Sequence, residues 1–346
     1  MPHRLNPSRI LITRRDNIGD ILCTTPLLEA LRARFPVAHI AILVTDYNVD
    51  AIRNNPNVDE IFVYLKRRNQ HLNGYFGMLR ERLQLLRRIR RQRFDLIVLA
   101  NGGYRYARQL GGKKTIGFKE VGPNYGQPDW VVPCPPQVKH EVDKLNLLGQ
   151  ILNAPTALGQ LFLQPEAQTL AQTREKLLTA GWQEARPTIA IHISSRRPQQ
   201  RWPISHFAAF LTTLHQLRPE LQFVLLWSPG PSNSPMHPGD DDNALALQKL
   251  VPDVPLSLMP TQRVAELIAA CSLCDQFVGS DGGAMHVAAA LHKPILCFFG
   301  DSKPEEWHPW GVPYVLLQPE SQRTSDTTVA ETLAGFEQLQ KLINQQ

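Results

Sequence analysis

Short runs of aliphatic and β-branched residues alternate with longer helical stretches, and the alternation runs twice through the chain. Parallel strands covered by helices satisfy such a pattern, because a parallel connection needs about a dozen residues or more and usually takes them as a helix. The first series reads as strand Ile10 to Thr13, a helix from about Asp20 to Phe35, strand His39 to Thr45 and a short helix. Strand Asp59 to Tyr64, a long helix ending near Arg93 and strand Phe94 to Ala100 complete it. A Gly-rich segment from Gly102 to Gly122 and a loop dense in Pro and Gly from Pro123 to Pro136 read as irregular. The second series opens with a helix from Gln168 to Gly181, strand Thr188 to Ile193, a helix from about Pro203 and strand Gln222 to Trp227. A loop of Pro, Ser, Gly and Asp, Ser228 to Asp242, separates these from helices Ala244 to Leu250 and Gln262 to Ala270. Strand Gln276 to Gly279, helix Gly283 to Leu291 and strand Pro294 to Phe299 follow. The expectation is two α/β domains, 1–160 and 161–346, with a linker between Pro155 and Pro165. The last helix, Thr328 to Asn344, is a candidate to pack back on the first domain. Ligands of open parallel sheets bind outside the carboxyl ends of the strands, which puts the expected active site in a cleft between the two.

The charge is divided unevenly. Residues 1–170 carry 24 Lys and Arg against 14 Asp and Glu, whereas residues 171–346 carry 13 against 17. The whole positive excess lies in the first half, which is therefore suited to an anionic partner. No run approaches the roughly 18 apolar residues of a membrane span, and Ile10 to Thr13 is too short for a signal-peptide core. A cytoplasmic protein is expected. The five cysteines are an odd set with no disulfide framework, and Cys271 and Cys274, between a helix and a strand, read as core packing.

Three loops carry residues able to do chemistry. In Arg14-Arg15-Asp16-Asn17-Ile18-Gly19-Asp20, between the first strand and helix, Asp20 sits at or just before the helix start. Its carboxylate serves there either as an N-cap for orphan N–H groups or as a general base facing the cleft. His192 to Pro203 brings Ser194 and Ser195 together with Arg196, Arg197 and Arg201, a cradle for phosphates without metal or, equally, a solvated basic loop. In Val278 to Ala290, Gly279, Gly282 and Gly283 expose backbone N–H groups at a helix N-terminus, an anion site suited to a diphosphate. His286, in the first turn, reads as a donor to a phosphate oxygen, and Asp281 as orienting hydroxyls or backbone. No G-x-G-x-x-G follows a strand, which leaves a nicotinamide-dependent dehydrogenase without support.

Ile18-Gly19-Asp20-Ile21-Leu22, Asn54 to Ile61, Arg201-Trp202-Pro203, Asp281-Gly282-Gly283-Ala284-Met285-His286, Phe298 to Pro304 and Trp310-Gly311 occur in that order. The series resembles glycosyltransferase family 9, the heptosyltransferases of the lipopolysaccharide core, across nearly the whole chain. The resemblance implies the GT-B fold of two facing Rossmann-like domains, an ADP-heptose donor on the C-terminal one and an acceptor on the N-terminal one. It also implies an inverting transfer that uses no metal and no cofactor. Carried onto this sequence, it makes Asp20 the catalytic residue, and Ser194, Ser195 and the 281–286 loop the donor contacts. Two positions depart from the family: Gly282 stands where a hydroxyl residue is usual, and Gln200 where a Lys is frequent. Arg196, Arg197 or Arg201 then supplies the charge. The acidic residue for the donor ribose falls in the 228–242 loop, with Asp242 the candidate.

Lys66-Arg67-Arg68 and the Arg80 to Arg93 cluster, interleaved with Leu79, Leu83, Leu85, Leu86 and Ile89, form a basic tract with an apolar face. A solvated helix face accounts for it, as does contact with an anionic leaflet or phosphorylated glycolipid. Nucleic acid is disfavoured, since no recognition motif or stacking platform accompanies the charge. Lys66, Arg67, Arg68 and Arg105 are the candidate acceptor contacts. The combined expectation is heptosyl transfer to a lipopolysaccharide-core hydroxyl, by a protein peripheral at the inner face of the membrane. The rival is a glycolipid-binding protein on a degenerate transferase fold, for which Gly282 and Gln200 speak and Asp20 and His286 do not.

Overall fold

The computed structural model describes residues 5–66, 74–121, 126–156, 159–232 and 239–345. The chain divides into two compact units, Met1–Phe162 and Leu163–Gln346.

The first unit runs β1 (Arg9–Thr13), α1 (Ile18–Cys23), α2 (Thr25–Arg34), β2 (His39–Thr45), β3 (Glu60–Tyr64), α3 (Gly74–Arg91), β4 (Leu96–Leu99), α4 (Tyr104–Ala107), β5 (Lys114–Phe118), β6 (Trp130–Val132) and α5 (Glu141–Gln150). Its strands lie in the order β3-β2-β1-β4-β5-β6, all parallel. The β1, β2 and β4 side chains are almost all buried, as central strands covered on both faces require. Where one helix was expected from Asp20 to Phe35, two form, broken at Thr24. Pro26 has no N–H for the Leu22 carbonyl, and Thr25 Oγ1 donates to that oxygen at 2.7 Å instead. The segment read as irregular holds β5 and β6. Its glycines serve close packing: a Cβ at Gly112 would come within 2.5 Å of Ile97, and one at Gly117 within 2.9 Å of Leu99.

The second unit runs α6 (Ala167–Thr179), β7 (Thr188–His192), α7 (Ile204–Leu217), β8 (Gln222–Trp227), α8 (Asp241–Leu250), β9 (Leu256–Pro260), α9 (Val264–Ser272), β10 (Gln276–Ser280), α10 (Gly283–Ala290), β11 (Ile295–Phe298), α11 (Pro304–Trp307), β12 (Tyr314–Leu317) and α12 (Val329–Ile343). The sheet order is β12-β11-β10-β7-β8-β9, again all parallel. The terminal helix α12 packs within this unit. Phe336 and Leu339 are buried in the cluster that holds Phe210, Leu296 and Val315.

Each sheet thus reverses direction once, between β1 and β4 and between β7 and β10. At such a switch point neighbouring connections leave on opposite faces, opening a crevice at the carboxyl ends of the two strands. In the pairing register Thr13 lies beside Leu43 and Leu99, and Gly279 beside His192. All three chemically rich loops leave from these strand ends.

Trp202 ties the loop after β7 to the core. It is 2% exposed, its ring stacks on Phe298 at 4.6 Å, and its Nε1 donates to the Thr327 carbonyl at 2.8 Å. Trp202→Phe keeps the stack and removes the donor. Denaturant unfolding is expected to show a loss of about 1–2 kcal/mol, the cost of leaving that carbonyl unmatched.

Candidate active site

At the carboxyl end of β1, Arg14 is 1% exposed and forms the hub of a buried charge cluster. Its Nη2 donates to Asp20 Oδ1 at 2.8 Å and to Glu141 Oε1 at 2.7 Å, and Nη1 donates to the Ala100 carbonyl after β4. Asp16 Oδ1 lies 3.1 Å from Nε, an ion pair off the hydrogen-bond direction. Burial works against the Arg14 charge, and the Asp16, Glu141 and Asp20 carboxylates more than offset it, so its pKa is raised. Three carboxylates share one guanidinium. Burial, reinforced by Asp20 and Glu141 and opposed by Arg14, pushes Asp16 up to about 6.

Asp20 occupies the third helical position of α1 rather than the N-cap, which is Asn17. Its Oδ2 reaches back to accept from the Asn17 backbone N–H at 3.0 Å and from Asn17 Nδ2 at 2.9 Å. Asp20 thus closes the helix end from its third position rather than as the N-cap, and its carboxylate is held by charge-assisted bonds on both oxygens. Asn48, wholly buried, braces the same loop. Its Nδ2 faces the carbonyls of Arg14 and Asn17 at 3.5 and 3.4 Å.

Of the candidate acceptor contacts, Lys66 Nζ donates to the Asp16 carbonyl at 3.1 Å and Arg105 is exposed on α4. Arg67 and Arg68 lie outside the described residues. The apolar face of α3 mostly turns inward, with Ile89 buried and Leu85 and Leu86 packed on the core around Phe62. Leu79 and Leu83 stay 44% and 45% exposed. Arg88 pairs with Glu60 and Arg90 donates to the Gln109 carbonyl, while Arg87 and Arg91 stand exposed.

The loop after β7 is internally tied. Ser194 Oγ accepts from Ser228 N–H at 2.9 Å, joining the ends of β7 and β8. Ser195 Oγ donates to Gln200 Oε1 at 3.2 Å, and Gln200 Nε2 donates to Asp281 Oδ2 at 3.1 Å and to Ser302 Oγ. Gln200 is 6% exposed. Where a lysine would neutralise Asp281, this neutral amide bridges the loops after β7, β10 and β11. Arg201 donates through Nε to the Ser195 carbonyl at 2.9 Å and pairs with Asp240 at 3.3 Å. Arg197 pairs with Asp301 at 3.5 Å, and Arg196 is exposed.

The loop after β10 starts α10, with Gly282 as its N-cap at φ +152°, a conformation L side chains rarely adopt. A Cβ there would meet nothing within 4 Å, so the backbone N–H groups of the helix start are open to approach. Gly283 is the first residue of α10. His286 is 3% exposed, one turn on, edge-to-face with Trp307 at 6.0 Å. Cys271 and Cys274 are buried free thiols; burial pushes Cys271 up to about 12 and holds Cys274 well above the usual thiol value.

In the loop leading to α8, the carboxylate facing Arg201 is Asp240, 1% exposed. Asp241 accepts from Trp227 Nε1 and Gly230 N–H, and Asp242 is exposed on the first turn of α8. The sequence reading passed over Asp240, Asn48 and Glu141. Asp240 stands two positions before the residue singled out, but Glu141 meets Arg14 across 127 positions and no local pattern marks it.

The model of glycosyltransferase family 9 (heptosyltransferase) matches residues 82–334. Lipopolysaccharide heptosyltransferase 3 of Escherichia coli is 22% identical over 304 residues, which cover 84% of this chain and 83% of that protein. A glycosyl transferase family 9 protein from Veillonella parvula DSM 2008 superposes with a TM-score of 0.80 at 20% identity, over 96% of this chain and 97% of the other. The ADP-heptose lps heptosyltransferase II of E. coli gives 0.76 at 19% identity, over 97% and 99%. Likeness at this identity carries the fold, the GT-B class of two Rossmann-type sheets, and the family match covers β4 to β6 of the first sheet and all of the second. The chain belongs to glycosyltransferase family 9 and is a glycosyltransferase of the heptosyltransferase type.

Proposed function

We propose that the chain transfers heptose from ADP-heptose to a hydroxyl of the lipopolysaccharide core, with inversion and without metal. The observation that carries the reading is the Asp20 carboxylate, held by Arg14 and Asn17 at the switch point of the first sheet. It takes the acceptor proton as the acceptor oxygen attacks the anomeric carbon, and the ADP–sugar bond breaks on the opposite face. Arg196, Arg201, the Ser195 hydroxyl and the N–H groups at the start of α10 stabilise the departing diphosphate as fixed donors. For the donor ribose the candidate is the exposed Asp242, with Asp240 nearby held by Arg201. The names of the family relatives support heptose as the sugar and lipopolysaccharide as the acceptor class.

The test is a panel of nucleotide sugars scored by the rise in melting temperature and by sugar transfer to purified lipopolysaccharide core. ADP-heptose is expected to stabilise the protein through mass action and to be transferred in the presence of EDTA. Transfer abolished by the chelator and restored by magnesium or manganese would overturn the metal-free step.

The exposed arginines of α3 support a peripheral contact of the first unit with an anionic leaflet. No helix among the described residues is long and apolar enough to cross a membrane. Arg87→Glu with Arg91→Glu should lower binding to anionic vesicles about 10²-fold or more, at roughly 1 kcal/mol for each charge removed and again for each reversed. Affinity for ADP-heptose should be unchanged. Vesicle binding that ignores both the double substitution and added salt would leave α3 as a solvated helix.

A further inference from the structure

We infer that Arg15, held over the rings of Tyr106 and Tyr64, is the recognition group of a subsite for an acidic substituent, a carboxylate or phosphate, on the acceptor saccharide. The inference rests on reading the first unit as the acceptor side. Arg14 and Arg15 are adjacent, yet their surroundings differ. Arg14 turns inward to the carboxylates, whereas the Arg15 guanidinium lies 3.9 Å from the Tyr106 ring centroid and 5.3 Å from that of Tyr64. The two phenols meet edge to face at 5.8 Å, and Arg82 from α3 lies 4.9 Å from the Tyr64 ring. These groups converge at the carboxyl ends of β1, β3 and β4, the rim from which Asp20 also projects.

Neither guanidinium makes a hydrogen bond or ion pair among the described residues, and Nε of each is buried without an acceptor. Segments 67–73 and 122–125, which lie outside the description, contain no Asp or Glu. The nearby carboxylates are committed elsewhere: Asp16 faces Arg14, and Glu120 accepts from the Tyr104 N–H at 2.7 Å. Lys66 Nζ, on the Asp16 carbonyl, adds a third cation without an anion. Like charges gathered on a half-buried aromatic platform repel one another until an anion joins them. The ring contacts hold the guanidinium in place and leave its Nη1/Nη2 fork, which has no partner among the described residues, for a carboxylate or phosphate.

The experiment uses the full chain with labelled arginine, titrated with glucuronate, glucose 6-phosphate and neutral glucose while the Arg15 Nε–H signal is followed by NMR. Both acidic sugars, or one of them, should shift that signal saturably while glucose does not; the one bound more tightly identifies the carboxylate or the phosphate as the natural group. Arg15→Gln should weaken the binding roughly 10- to 100-fold, the scale of losing hydrogen bonds to a charged group. Arg15→Lys, which keeps the charge and loses the fork, should fall between. Both variants should keep the wild-type melting temperature and ADP affinity. Glucose acting like the acids, or Arg15→Gln binding them like wild type, would overturn the subsite. ADP binding without acid-sugar binding would sink this subsite and leave the transferase reading in place; the opposite pattern would do the reverse.

Discussion

Asp20→Asn is expected to fold, to bind ADP-heptose as wild type does, and to lose about 10²-fold or more in turnover, the usual scale for a missing general base. The amide keeps the shape of the carboxylate and can still accept from Asn17, so the end of α1 stays closed. What it loses is the capacity to take a proton and the ion pair with Arg14. Steady-state rates and donor affinity measured on the same preparation separate these effects. Turnover within a few-fold of wild type, with the melting temperature lowered, would leave Asp20 as a helix-closing residue only.

The sheet framework was legible because parallel central strands are buried on both faces and read as continuous aliphatic runs. β2 and β8 were expected with the bounds they have, His39–Thr45 and Gln222–Trp227. Of the four edge strands only β3 was, read as Asp59 to Tyr64. β6 is three residues long, β12 has one side chain in four buried, and β9 ends on a proline. These three are too short or bury too few side chains to leave a clear strand pattern in the sequence. The Gly-rich stretch misled for a related reason: glycine marks both loops and close strand packing, and only the neighbouring Ile97 and Leu99 distinguish them.

For the candidate site, local signals pointed to loops that leave the strand ends at the switch points, and not to the partners inside them. Gly19-Asp20 and Asp281 to His286 stand out because a strand end, a glycine and a helix start leave a compact signature. Gln200 looked like a lost charge; in the structure it is a buried bridge among Ser195, Asp281 and Ser302. Asp240 and Glu141 are ordinary acidic residues near helix starts until folding sets each against an arginine. Contacts of that kind depend on which strand ends become neighbours, which the order of strands in the sheet decides.

Arg14→Met should be among the most destabilising single changes in the chain, about 3–5 kcal/mol, the range for removing one partner of a buried ion pair. Methionine fills much of the volume, so the loss measures charge rather than a cavity. Asp20, Glu141 and Asp16 would then share a buried space with no cation, and the Ala100 carbonyl would lose its donor. Part of the loss should be recovered at acid pH, where the carboxylates can take up protons. Asp16 gives the sign in the wild type. Its folded pKa of about 6 lies above the ordinary 3.8, so the folded state holds an extra proton between those values. The stability this contributes is fully present below about pH 4 and is lost as pH rises through about 6. Asp16→Asn should flatten that fall. The change is on the order of 1–2 kcal/mol, allowing for the solvent that reaches a partly exposed side chain. Denaturant unfolding of the three proteins from pH 4 to pH 8 reads both effects. Equal slopes in wild type and Asp16→Asn would remove Asp16 from the cluster's proton balance. An Arg14→Met loss below about 1 kcal/mol at pH 7 would mean that water, and not Arg14, compensates the three carboxylates.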